Sequence, residues 1–292
     1  MFNLLDRCSG FIGSTDDYNE ADIVLVGAPM DFTVSFRPGT RMGPQAIRQV
    51  SIGLEEYSVI LDRDLSDYSY FDAGDIALPF GHVELSLQRI GQVVGQILND
   101  EKFPVVMGGE HLISLPVIEQ VAAKYPGLKL LHFDAHADLR ENYMGQPLSH
   151  ASVIRHAVEL VGGQNVYQFG IRSGTREEFA YARENTNMFV GKVIEPLKKL
   201  LPELQGSPIH ITLDIDVVDP AYAPGTGTAE PGGCSSGEIL EAIYMLKDFN
   251  VVGFDLVEIS PVYDHSERTA ILGSKLIREA ILSFGKAKQK KG

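Results

Sequence analysis

Cysteine is scarce in this chain of 292 residues: only Cys8 and Cys234 occur, far apart. That excludes a disulfide framework and a thiolate zinc cluster. Positive charge is also short. Lys and Arg number 25 against 39 Asp and Glu, for a formal net charge of -14. Nucleic-acid binders carry a basic footprint, so that class of partner is set aside. An acidic field suits a cationic ligand, or serves solubility alone. No apolar run approaches the ~18 residues that would span a bilayer. The opening MFNLLDRCSGFIGS has no basic segment followed by a long apolar stretch. The expectation is a cytoplasmic protein with neither a membrane nor a nucleic-acid partner. Repeats, linkers and low-complexity blocks are missing too.

What is present is a large apolar fraction, 44%, enough for a substantial core. Apolar runs bounded by turn residues predict strands at 21–30, 103–111, 129–134, 166–174, 188–190, 209–220 and 251–261. Helical spacing or helix-start signals predict helices at 82–99, 112–124, from His150 to about 161, 175–185, 192–204, 236–248 and 267–285, with another opening near Pro44. Strands and helices alternate, and the strands are continuously apolar. That is the pattern of a parallel sheet covered on both faces. The predicted fold is one three-layer α/β/α domain over 1–292, with an extended N-terminal arm at 1–20 and a frayed basic tail at 286–292.

The stretch LLHFDAHADLR, 130–140, concentrates the chemistry. A buried strand runs into Asp134, His136 and Asp138 at alternate positions, which strand geometry would place on one face. Buried carboxylates are costly unless paired or bound to metal. Other predicted strand ends carry His111, Asp214 and Asp216. Four aspartates and two histidines exceed the four ligands of a structural zinc. Oxygen-rich ligation with some imidazole suits harder ions, manganese above all. About four negative charges would balance two divalent ions, and such a pair can hold a water as hydroxide at neutral pH. The constellation predicts a two-metal hydrolase.

GGEH at 108–111, FDAHADLR at 133–140 and TLDIDVVDPAYAPGTGTAEPGG at 212–233 resemble the three signature regions of the ureohydrolase family of arginases and agmatinases. RPGTRMGPQAIR at 37–48 extends the resemblance over nearly the whole chain. It implies an arginase-type fold with a central, mostly parallel sheet of about eight strands. It implies two Mn2+ ions per subunit, one on His111, Asp134, Asp138 and Asp214, the other on Asp134, His136, Asp214 and Asp216, so that Asp134 and Asp214 bridge. The implied reaction is hydrolysis of a guanidino group to urea and an amine, by attack of a metal-bridging hydroxide. The departing amine needs a proton, and a histidine titrating near neutrality supplies it well. Ser149-His150 matches the family's active-site histidine region, which makes His150 the candidate. Glu258 matches the glutamate that binds the guanidinium, a natural bidentate pairing. Asp134, His150 and Glu258 are thus the catalytic candidates. His132 and His210, inside strands, and Asp255 read as core or support.

The loop LRENYMGQPLSH lacks the Asn- and Ser-containing pattern of arginases and resembles agmatinases instead. Acidic Glu141 disfavours a substrate carboxylate and tolerates an amine. Thr226, Thr228 and Glu230 are further candidates for the pocket wall. The resemblance therefore implies a small cationic guanidino substrate, agmatine, cleaved to putrescine and urea in polyamine biosynthesis. Aminopropylagmatine, yielding spermidine directly, is the nearest rival, ahead of arginine, guanidinobutyrate and formiminoglutamate. A non-catalytic, metal-stabilised scaffold is the reading from another class. Resemblance also implies a homo-oligomer, trimer or hexamer, with the arm and the 35–50 loop as contact surfaces.

Overall fold

The computed structural model describes residues 4–6 and 10–288; Cys8 and the last four residues of the basic tail lie outside them. In chain order the strands are β1 (Leu5–Asp6), β2 (Ile23–Ala28), β3 (Tyr57–Ser58), β4 (Arg63–Asp64), β5 (Tyr70–Ile76), β6 (Phe103–Gly108), β7 (Lys129–Phe133), β8 (Val166–Ile171), β9 (Asn187–Val190), β10 (Ile209–Asp214) and β11 (Val251–Val257). The helices are α1 (Gly43–Ser51), α2 (Val83–Asn99), α3 (Ser114–Lys124), α4 (Val153–Val161), α5 (Arg176–Asn185), α6 (Ile194–Leu204), α7 (Ser236–Met245) and α8 (Arg268–Phe284).

Eight strands form a parallel sheet in the order β5-β2-β6-β11-β10-β7-β8-β9, and short β1 adds antiparallel to β5. Strands β2, β8, β10 and β11 are buried at every residue. Their side chains on alternate faces feed two separate cores. On one face Ile47, Leu197, Ile243 and Leu276 bring α1, α6, α7 and α8 onto the sheet. On the other, Ile90, Ile118 and Ile154 bring α2, α3 and α4, with Ala182 of α5 beside them. The architecture is the expected three-layer α/β/α sandwich. Among the described residues no helix is long and apolar enough to cross a membrane.

Chain order and spatial order disagree in the middle of the sheet. The late strands β10 and β11 insert between the early β6 and β7. Such reversals open a crevice beyond the carboxyl ends of the strands. These four neighbours are the strands that deliver the candidate site.

Two regions depart from the sequence reading. No apolar run marks 51–81, yet β5 lies there in the sheet. Its sequence, YFDAGDI, is broken by Asp72 and Asp75 because it is built to hold a cation. Buried Arg48 of α1 grips Asp72 in a bidentate pair, Nε to Oδ2 at 2.8 Å and Nη2 to Oδ1 at 2.9 Å, and reaches Asp75 with Nη1. The predicted arm is tied down where it is described. Leu5 pairs with Ile76, Thr15 bridges to Phe71, and buried Phe11 donates its N–H to Asp72. At the other end Lys288 donates its N–H to Asp67 O, so the tail is anchored as far as it is described.

Candidate metal centre and active site

Four adjacent strands end at one place. β6 leads through Gly108-Gly109-Glu110 into a 3-10 turn that opens with His111. A Cβ on Gly109 would fall 2.0 Å from the Met30 carbonyl oxygen, so only glycine lets these two segments touch. β11 ends at Val257, and Glu258 follows with φ 64, donating its N–H to Gly109 O. β10 ends on Asp214, with Asp216 in the turn beyond.

The convergence of Asp134, His136 and Asp138 has a different cause from strand alternation. β7 stops at Phe133, and all three residues lie past it. Asp134 turns the chain by accepting the His136 N–H on Oδ1, and Asp138 sits in the left-handed region at φ 52. Left-handed backbone is strained for a residue with a Cβ, and such strain gathers at functional sites. Asp214 makes the same local turn, accepting the Asp216 N–H at 2.8 Å. Asp216 Oδ1 accepts the Ala135 N–H at 2.9 Å and so ties the two segments together.

All six predicted ligands meet. His111 Nδ1 lies 3.0 Å from Asp134 Oδ2, 3.2 Å from Asp138 Oδ2 and 3.5 Å from Asp214 Oδ2. His136 Nδ1 lies 2.9 Å from Asp216 Oδ2 and 3.5 Å from Asp134 Oδ1. The electrostatics are unbalanced. Burial pushes the Asp214 and Asp216 carboxyls up, and their neighbours' negative charges push further. Burial also opposes the charge of Asp134, but His132, His111 and His136 outweigh it and hold that carboxyl well down. His111 is the reverse: burial opposes its proton, and three carboxylates hold its pKa well above the ordinary value.

The donor set fits divalent cations. His111 Nδ1 and Asp216 Oδ2 are buried without a hydrogen-bond partner. The carboxylates around Nδ1 flank it rather than stand in line to accept from it. Orphaned buried polar atoms are rare and need a reason. A lone pair surrounded by carboxylates, in a cluster of four Asp and two His, is what a hard or borderline divalent ion takes.

The supporting shell fixes which nitrogen faces the cluster. Thr212 donates to Asp255 Oδ1 at 2.6 Å, so its oxygen, 3.0 Å from His111 Nε2, accepts the proton there. Nδ1 is therefore the nitrogen that would turn a lone pair to a bound ion, which would displace the proton that the carboxylates favour there. His132 Nε2 also stands close, 2.8 Å from Asp134 Oδ2, and belongs to the same cluster of possible ligand atoms. Its role is different. Gln168 Nε2 approaches His132 Nδ1 at 3.1 Å, while Gln168 Oε1 is taken by Thr186. His132 Nδ1 therefore accepts, and Nε2 carries a proton for Asp134 rather than a lone pair for a metal.

Above the cluster opens a cavity of about 270 Å³ lined by His111, His136, Asp138 and Asp214, and by His150, Glu258 and Thr228. Glu258 Oε1 accepts the His111 N–H at 2.8 Å. Burial pushes its carboxyl up to about 8; the His111 N–H opposes this, and the neighbouring Glu110 charge adds to it. His150 opens a 3-10 turn before α4, capped by Ser149 with Ser152. Burial lowers its pKa from the ordinary value, against the pull of Asp138.

Three sequence candidates do not reach the cavity. Glu141 is exposed outside it. Glu230 offers only its backbone, whose carbonyl accepts from Arg172. Thr226 is buried beneath the loop, in a bridge to Ile259. The structure places Ser35, Arg140, Tyr143, Ser173 and Glu178 on the wall instead. Glu178 completes a capping box at the start of α5, where it accepts the N–H of the N-cap residue Thr175 at 2.8 Å. The same carboxylate also accepts the Leu139 N–H and stands 3.5 Å from Arg140. Its second duty leaves no trace in local sequence.

Comparison with known proteins agrees with this geometry. The Arginase family model matches residues 21–283. An agmatinase of Bacillus subtilis (strain 168) is 57% identical over 94% of this chain and 96% of its own. A guanidinobutyrase of Pseudomonas aeruginosa is 34% identical over 92% and 88%. The crystal structure of the agmatine ureohydrolase of Thermoplasma volcanium superposes with a TM-score of 0.87 at 33% identity, covering 96% of this chain and 95% of that one. On the match over most of its length, this chain belongs to the arginase family of ureohydrolases, which hydrolyse C–N bonds.

Proposed function

We propose that this chain hydrolyses agmatine to putrescine and urea with two manganese ions held by His111, Asp134, His136, Asp138, Asp214 and Asp216. The observation that carries the reading is the joint one: six ligating side chains beneath a cavity that also holds His150 and Glu258, in a chain 57% identical to an agmatinase. When bound, the ions supply Lewis acidity and a water acidic enough to be deprotonated near neutral pH.

The protein residues do the rest. With Oε1 bonded to His111, Glu258 keeps Oε2 for a guanidinium N–H. A planar cation there offsets the burial that raises the Glu258 pKa, so binding favours the carboxylate form. The C–N bond breaks as the amine leaves, and the amine takes its proton from His150. Thr228 and Tyr143 flank the remaining length of a slender substrate.

A second reading, hydrolysis of a guanidino acid, has one observation in its favour: Arg140 on the wall could meet a carboxylate. That charge is already engaged. Glu178 lies 3.5 Å from it, and the guanidinium stacks 4.5 Å from the Tyr143 ring. The amine substrate is preferred on this ground. One domain, acting in the cytoplasm as a homo-oligomer, completes the proposal. Ile52, Val59 and Ile60, 80%, 77% and 67% exposed, support an apolar contact surface.

A urea-release screen tests it, with agmatine, aminopropylagmatine, arginine and 4-guanidinobutyrate, before and after chelation and manganese return. Agmatine should give the highest kcat/KM, lost on chelation and restored by manganese. Urea from none of the four would end the enzymatic reading. Preference for 4-guanidinobutyrate would replace the substrate.

A further inference from the structure

Thr33 has no part in the metal cluster, yet its side chain is a junction. It lies in the loop after β2, beside buried Glu110 and beside His150. Its hydroxyl donates to Glu110 Oε2 at 2.7 Å. Glu110 itself accepts the N–H groups of Phe32 at 3.1 Å and Thr33 at 2.8 Å, so both its oxygens act as acceptors. A hydroxyl has one proton to give. With that proton committed to Glu110, the Thr33 oxygen can only accept from the other side. On that side are two groups of one residue: the His150 backbone N–H at 3.0 Å and the His150 Nδ1 at 3.3 Å.

We propose that Thr33, held by Glu110, is the positioning residue for His150: its oxygen holds the proton on Nδ1 and thereby makes Nε2 the atom that delivers a proton in the cavity. The inference rests on the reading of His150 as the proton donor. The arrangement binds His150 at backbone and ring together, so neither the turn nor χ1 can drift alone. Tyr143 closes the other side, its ring edge-on to the imidazole with centroids 5.5 Å apart. In the imidazolium both nitrogens carry protons. When the departing amine takes one, it takes the proton on Nε2, and the proton on Nδ1 stays on the ring, hydrogen-bonded to the Thr33 oxygen. The hydrogen bond at 3.3 Å is long, as such bonds are before a substrate closes the site.

The test compares Thr33→Val, Thr33→Ser, His150→Asn and the Val/Asn double variant of the manganese-loaded enzyme with agmatine, alongside metal content. Thr33→Val should lower kcat about 10–100-fold, the usual cost of losing a supporting hydrogen bond, with KM and metal content little changed. Thr33→Ser, which keeps the hydroxyl, should restore kcat to within about threefold. In the His150→Asn background, Thr33→Val should cost nothing further, because the two act through one proton. Ring 15N shifts of His150 should show Nδ1 protonated in the neutral form, and loss of that preference in Thr33→Val. Unchanged kcat in Thr33→Val, with His150→Asn impaired, would overturn the positioning role and leave the proton donor standing. Unchanged kcat in His150→Asn would remove the donor and this inference with it. Loss of activity in Thr33→Ser matching a loss of bound metal would make Thr33 a structural residue only, and would also overturn the proposal.

Discussion

Among the described residues, two of the buried charge clusters differ in one telling respect. Around Arg48, the guanidinium meets Asp72 in two bonds, Asp75 in one and the Gly74 carbonyl in another, while Asp72 also accepts from Phe11 and Gly74. Each nitrogen of Arg48 and each carboxylate oxygen of Asp72 has a partner. Around His111 the carboxylates outnumber the cations, and a ring nitrogen and a carboxylate oxygen remain without partners. Completeness marks the first as scaffold, since a buried pair that is fully bonded offers nothing to a ligand. Incompleteness marks the second as a site. Here the signal is the combination of unpaired atoms with an excess of carboxylates at the floor of a cavity, rather than buried charge alone.

That contrast can be broken at several points. The largest effect is expected from Asp134→Ala, which should abolish urea release and lower the bound metal below two ions per chain; two fully bound ions would show that Asp134 is no bridge. His150→Asn should lower turnover about 10²–10⁴-fold with metal content intact. Asp72→Ala should do the opposite. It strands a buried guanidinium and should lower unfolding stability by about 3–5 kcal/mol in denaturant titrations, while the folded protein keeps its metal and turnover. A loss of metal in that variant would join the two clusters that the structure separates.

A smaller effect concerns acid. Asp255 is buried, which opposes its charge, but bonds from His210, Thr212 and Ser114 outweigh that and lower its pKa. A lowered carboxylate stabilises the fold above its unfolded pKa, about 3.9, and that contribution is lost as pH falls through the folded value. The melting-temperature gap between the native chain and Asp255→Asn should therefore hold steady from pH 7 to about 5 and close below about 4. A gap that widened in acid would reverse the assignment. Least of all, Glu141→Gln should change kcat/KM for agmatine by no more than about twofold, as for a surface position; a tenfold loss would return Glu141 to the substrate.

How much of this was legible in the sequence depended on whether a residue's partner lies nearby in the chain. Strands β6, β7, β10 and β11 are short apolar runs with His, Asp or Glu at or just beyond their ends, so the fold class and the members of the buried His/Asp cluster could both be read. β5 could not, because Asp72 and Asp75 are explained only by Arg48, which arrives from α1. Glu141 was misplaced for a related reason: its charge suited a cation, but its backbone carries it to the outside. Tyr143 and Glu178 escaped because nothing local distinguishes a wall residue from a loop tyrosine or a helix cap. Thr33 escaped because its two partners are 77 and 117 positions away.

The segment between Asp138 and His150 has a further property. The Asp138 carbonyl accepts from Ile154 and Arg155, and Arg140 donates its N–H to Ala151 O, so the chain is stitched shut where it leaves the ligands and where it rejoins α4. Beyond that stitch, Tyr143 and Gln146 exchange two backbone bonds around a tip where Met144 is 83% exposed. The exposed tip is thus separable from the base: changes at Met144 and Gly145 leave in place the backbone bonds that hold Asp138 and His150 in register.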